Sequence, residues 1–99
     1  MDKIFFILDK DNQRIPANWK EVEEWLEAQK HLILQEQIGN LVVSTIFDIC
    51  GEFETVILEG ELEDDNVGVK SQGVILRQDY SDTYEKAMFI HNYYKWSIS

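Results

Sequence analysis

Two β-branched runs, residues 41–46 (LVVSTI) and 53–58 (FETVIL), joined by a short segment that contains Gly51, constrain this chain more than any other feature. Side chains branched at Cβ fit a pleated backbone, and a glycine-marked break between two such runs predicts an antiparallel strand pair. Alternation puts Leu41, Val43, Thr45 and Phe47 on one face and Val42, Ser44, Ile46 and Asp48 on the other. In the second run Phe53, Thr55 and Ile57 oppose Glu54, Val56 and Leu58. Both faces are mostly apolar near the centre. That predicts a central strand covered by helices on one side and partly shielded on the other, where a partner subunit is one candidate cover.

Around this hairpin the chain reads in order. Residues 3–8 form a short strand, closed by the turn-forming polar segment 9–13. The oxygens of Asp9, Asp11 and Gln13 have part of a calcium-loop spacing, but its glycine and distal glutamate are missing, so a plain turn is expected. Residues 14–16 return as a very short strand. Asn18, with Glu21 three residues on, forms a capping box for a helix. That helix has Trp19, Val22, Trp25 and Leu26 on one face and Glu21, Glu23, Glu24 and Glu27 over the rest. Core packing is the expected role of the tryptophan stripe, with Trp19 the more exposed of the two.

Further strands are expected over 30–35, with His31 at its mouth, and over 74–78, where Gly73 marks a bulge or a bend. Residues 61–70 (ELEDDNVGVK) read as a solvated polar connection and include the densest acidic run: Glu61, Glu63, Asp64 and Asp65. Asp82 and Glu85 form a second capping pattern, opening a terminal helix. Its stripe is Tyr84, Ala87, Met88, His91 and Tyr94, while Phe89, Tyr93 and Trp96 extend around the side. So wide an aromatic surface exceeds what one face of a small sheet covers, which predicts a homodimer or a protein partner.

Ninety-nine residues suit a single α+β domain: an antiparallel sheet of four to five strands with two helices packed on one face. Nine basic against nineteen acidic residues give a formal charge of −10, which disfavours nucleic acid and anionic membrane as partners and favours a basic protein. A single cysteine, Cys50, forms no intrachain disulfide and no thiolate zinc site. It lacks a cationic neighbour in the sequence to activate it, which makes it a poor nucleophile. The apolar core of residues 4–8 is too short and too soon followed by Asp9 for a signal peptide, and no run is long enough to span a bilayer. A cytoplasmic location in a bacterial host cell is expected.

The series Val43-Ser44-Thr45-Ile46-Phe47, Phe53-Glu54-Thr55-Val56-Ile57 and Ser81-Asp82-Thr83-Tyr84-Glu85-Lys86-Ala87, ending at His91, resembles a family of small bacteriophage and prophage proteins. Its members look like a tryptophan-bearing helix, here Trp19 to Trp25, followed by strand, strand and a helix with alanine and histidine four residues apart, as at Ala87 and His91. The likeness spans nearly the whole chain. Two features depart from it: the family's longer loop with an Asp-His pair is replaced by Asp48-Ile49-Cys50-Gly51-Glu52, and Ile90 stands where a glycine is common. The family carries no established enzymatic activity, so the resemblance implies a genomic setting and an architecture.

Three functions of different class compete. A catalytic constellation of His91 with Ser44, Thr45 and Glu54 needs a water-excluding cleft and an oxyanion donor, neither evident in the sequence. Its plain alternative has Ser44 and Thr45 bonding across the hairpin and His91 bonding a strand backbone or carboxylate. Two histidines without ligand spacing do not make a metal site, and no phosphate-loop or dinucleotide motif is present, so no cofactor is expected. The favoured expectation is a non-enzymatic acidic protein acting by protein contact through Glu23, Glu24, Glu27, Glu61, Glu63, Asp64, Asp65, Phe89, Tyr93 and Trp96. Its carboxylates would stand in for DNA phosphates against a basic host defence protein, while the competing expectation is an accessory phage protein that self-associates through the terminal helix.

Overall fold

The computed structural model describes residues 4–62 and 69–99. Its elements run β1 (Phe5–Leu8), β2 (Arg14–Ala17), α1 (Trp19–Glu27), β3 (Leu32–Ile38), β4 (Leu41–Asp48), β5 (Glu52–Leu62), β6 (Val69–Ser81) and α2 (Tyr84–Ile98). Strands β3 to β6 form a four-stranded antiparallel sheet in chain order, and β1 and β2 pair separately. The fold is α+β, with both helices on one face of the larger sheet.

Register decides which side chains meet. Between β4 and β5, Val43 pairs with Ile57, Thr45 with Thr55 and Phe47 with Phe53, so these six share the helix-bearing face. Across β4, Glu36 of β3 lies opposite Val43, and across β5, Arg77, Asp79 and Ser81 of β6 lie opposite Ile57, Thr55 and Phe53. Two apolar clusters form there. Trp25, Phe47, Phe53 and Ala87 make one, joined by Phe6, Ile7 and Leu8 of the small hairpin; Val43, Ile57 and Tyr94 make the other. The rings of Trp25 and Phe47 meet edge-on at 5.6 Å between centroids, and those of Phe47 and Phe53 at 5.0 Å. Trp25 is 6% exposed and Trp19 52%, the expected order.

The opposite sheet face carries no helix among the described residues, yet Val42, Ser44 and Val56 are buried. Each of these short side chains has a longer cross-strand neighbour: Val42 lies between Gln37 and Leu58, and Ser44 and Val56, which pair with each other, lie beside Gln35 and Gln78. Gln35 Nε2 donates to Ser44 Oγ at 3.1 Å. Side chains from the same sheet thus supply the shielding.

Several boundaries differ from the sequence expectation. β3 begins at Leu32 and runs on through Glu36 and Gln37 to Ile38. Gln37 belongs to the strand by pairing with Val42 of β4, and its side-chain amide adds to this: Nε2 lies 2.9–3.1 Å from the carbonyls of Gly39, Leu41 and Gly60, which share its two hydrogens, and Oε1 accepts from Leu62 N. β5 and β6 extend far beyond 53–58 and 74–78, so Glu61 and Leu62 are strand, not loop, and pair with Lys70 and Val69. Ladder bonds outweigh the low strand propensity of Glu, Lys and Gly here.

Helix α1 has the expected box, with Glu21 N donating to Asn18 Oδ1 and Asn18 N to Glu21 Oε1. For α2 the cap is Thr83 rather than Asp82. Thr83 has the extended backbone of a cap and its hydroxyl accepts from Lys86 N, while Asp82 pairs with the Lys86 ammonium at 3.0 Å. The 9–13 segment is a turn closed by Asp9 Oδ1, which accepts from the amides of Asp11 and Gln13.

Truncating Phe47, which packs with Trp25 of α1, Ala87 of α2 and Phe53 of β5, is expected to cost about 3–5 kcal/mol. Asn18→Ala should cost only about 1 kcal/mol. Urea unfolding of the two variants checks this ordering.

Candidate functional site

One line of polar side chains crosses the buried face. Thr55 Oγ1 lies 2.9 Å from Thr45 Oγ1, which lies 2.7 Å from Nδ1 of His91; Nε2 of His91 lies 3.0 Å from Glu36 Oε1. Lys95, one turn after His91 on α2, places Nζ 2.6 Å from Glu36 Oε2. Thr45, Thr55 and His91 are all fully buried, and Glu36 is half-buried at the β3 edge.

For a neutral His91 and an ionised Glu36, one proton arrangement satisfies every member. With His91 neutral, Nε2–H donates to the carboxylate, Nδ1 accepts from the Thr45 hydroxyl, and Thr45 Oγ1 accepts from Thr55. The electrostatics agree. Burial pushes the His91 pKa below its ordinary 6.5, with the Glu36 carboxylate opposing that shift. The hydrogen bond from Lys95 leads the effects that hold Glu36 below its ordinary 4.5.

Hydroxyl, imidazole and carboxylate in this order are also the parts of a nucleophilic catalyst. Here the hydroxyl lies between Thr55 and His91 beneath α2 and has no open side for a substrate. The line acts as a tie joining β5, β4 and β3 to the helix. Ser44 and Glu54, named above as candidate partners of His91, lie on the opposite face. Ser44 bonds Gln35, and Glu54 Oε2 accepts from Gln78 Nε2 at 2.8 Å. Hydrogen bonding across the hairpin comes from Thr45 and Thr55 instead of Ser44.

A second polar group sits beside it. The Tyr94 hydroxyl donates to Asp79 Oδ2, and burial followed by that carboxylate pushes the Tyr94 pKa up to about 12. The Arg77 guanidinium lies 5.0 Å from the Tyr94 ring centre and 5.6 Å from that of Tyr93.

The contact residues expected from the sequence fall into separate regions. Phe89, Tyr93 and Trp96 lie on the outer face of α2, with Phe89 74% and Trp96 73% exposed. Glu23, Glu24 and Glu27 are exposed on α1, and Glu61 is exposed near the end of β5. Glu63, Asp64 and Asp65 lie outside the described residues. Cys50 is exposed in the β4–β5 turn. Sequence reasoning does not single out Glu36, Thr55 or Lys95 for this line; the spacing of His91 and Lys95 by one helical turn was the available signal.

Among the described residues no group of three or more His, Cys, Asp or Glu converges to hold a metal, and no helix is long and apolar enough to cross a membrane. A cavity of about 470 Å³ opens between the β1–β2 turn and the start of α2, and one of about 500 Å³ between Tyr80 and Phe89. Compared with protein-family models, curated proteins and solved structures, the chain shows no match.

The tie predicts two responses. Thr45→Val leaves Nδ1 of His91 without its donor and should destabilise by about 1–3 kcal/mol in urea unfolding. The unfolded chain binds a proton near pH 6.5 that the folded chain accepts only at lower pH. Stability should therefore fall as pH drops from 6.5 towards the lowered His91 value, and Glu36 adds a further loss as pH falls through its own lowered value. His31, also lowered by burial, contributes in the same direction as His91. Urea midpoints should show a smaller slope in His91→Gln just below pH 6.5, where the remainder belongs to His31, and a further loss from Glu36 only at lower pH.

Proposed function

We propose that this protein works by contact with another protein rather than by chemistry. The observation that carries the reading is the aromatic row Phe89, Tyr93 and Trp96 standing outside on the very helix whose opposite face is locked to the sheet. Large aromatic side chains held on a rigid element are the usual anchors of protein interfaces. An exposed row of them has no role in the core.

The partner is a basic protein. Formal charge is −10, and Glu23, Glu24 and Glu27 line the exposed side of α1 without an ion-pair partner among the described residues. Such a surface attracts cationic grooves at long range and repels nucleic acid. With the resemblance to small bacteriophage and prophage proteins, this supports a phage-type protein that occupies the nucleic-acid groove of a host defence protein as a DNA mimic.

The tagged chain, immobilised and exposed to bacterial lysate at low and at high salt, tests the reading. A DNA-binding protein should be retained at low salt, released at high salt and displaced by duplex DNA. Glu23→Gln/Glu24→Gln/Glu27→Gln should weaken capture at low salt and flatten its dependence on salt. Phe89→Ala/Trp96→Ala should weaken capture at both salts, by about tenfold or more. Recovery of no basic protein under either condition contradicts the proposal.

A further inference from the structure

We propose that two copies of this chain join along β6, antiparallel and across a dyad at Gln78, so that Arg77 of each protomer faces Asp79 of the other. This goes beyond the reading above, which concerns the outer face of α2 and the carboxylates of α1.

β6 is the terminal strand of the sheet and pairs only with β5 among the described residues. It has thirteen residues, contains no proline, and exposes three consecutive apolar side chains, Val74, Ile75 and Leu76. Edge strands of this kind are templates for a further strand unless they are blunted.

Charge selects the occupant and the register. A dyad perpendicular to the sheet keeps both sets of helices on one side and pairs residues of like facing. Centred on Arg77 it would set that guanidinium against its copy; centred on Asp79 it would oppose two carboxylates. Centred on Gln78 it pairs Arg77 with the partner's Asp79 twice, and Leu76 with the partner's Tyr80 twice. About Gln78 the flanking residues 77 and 79 are opposite in charge, and the next pair, Leu76 and Tyr80, are both apolar. Opposite charges directly across a strand pair stabilise it and like charges weaken it. Arg77 and Asp79 keep about half of each side chain exposed (51% and 48%) while pairing loosely at 3.8 Å within one chain, Asp79 also accepting from Tyr94 and Arg77 lying over the Tyr93 and Tyr94 rings.

The neighbouring structure fits the same seam. The β5–β6 register is regular from Ile57–Arg77 to Phe53–Ser81 and breaks just beyond, where Leu76 is an extra residue. A bulge there bends the strand, so regular pairing covers residues 77–79 and Leu76 closes each end of the seam against the partner's Tyr80. Tyr93, against Arg77, borders it from above.

Sedimentation of the full chain tests the seam. The wild type should form a dimer at high concentration. Arg77→Asp sets two carboxylates against each other across the seam, and Asp79→Arg sets two guanidinium groups against each other. Each variant alone should therefore raise the dimer Kd by about tenfold or more and sediment as a monomer. Mixed in equal amounts, the two monomeric variants should form a heterodimer. One chain then presents two carboxylates and the other two guanidinium groups, so both cross-seam pairs are of opposite charge; no contact within one chain can produce that result. Because Asp79 also bonds Tyr94, Leu76→Lys serves as a second variant outside that contact and should be folded and monomeric. A monomeric wild type overturns the proposal, as does a dimer that survives Leu76→Lys, or folded single variants whose mixture stays monomeric. Capture of a basic partner by a monomer would leave the functional reading standing while removing this one.

Discussion

The structure depends on the buried line Thr55, Thr45, His91, Glu36 and Lys95. It joins three strands and the terminal helix at once through polar contacts. Apolar packing alone would let α2 rotate or slide, because the clusters around Ala87 and Tyr94 are not directional. A hydrogen-bonded imidazole is directional, and an orphaned member costs more than a made bond returns. The line therefore sets both the position of α2 and its rotation about its own axis.

That rotation has a consequence on the outside. With His91 and Tyr94 turned inward, the arc opposite them holds Phe89, Tyr93 and Trp96. Lys95 and His91 reach towards β3, and Tyr93 leans over Arg77 towards β6. An apolar substitution of the buried imidazole would keep the helix apolar inside but remove what aims the aromatic row. Buried polarity and exposed aromaticity are two sides of one helix placement. The charge is distributed separately, over α1 and the strand ends, where it leaves the straight part of the β6 edge with one residue of each sign.

Much of the scaffold was legible in the sequence. The alternation in LVVSTIF and FETVIL gives the correct facing for both central strands, and the Asn18–Glu21 box forms as written. The fold class, with helices on one face, follows from those patterns. What alternation cannot say is which face the helices take. Ser44 and Thr45 differ in facing, and only tertiary packing assigns Thr45 to His91. Glu36 was hidden for another reason: EQ after LILQ looks like the end of a strand, and it is the ladder with β4 that carries β3 through it to Ile38. The length of β6 was hidden because Gly73 and its polar neighbours have weak strand propensity, which pairing with β5 overrides.

The protonation state of His91 decides whether the buried line is the directional tie that places α2. Nitrogen-15 chemical shifts of the imidazole at neutral pH distinguish the two neutral tautomers from the cation. The tie requires a proton on Nε2, an accepting Nδ1, and titration below pH 6.5. A proton on Nδ1, or an imidazolium that persists above pH 6.5, would contradict the directional tie on which the placement of α2 and its outward aromatic row rests.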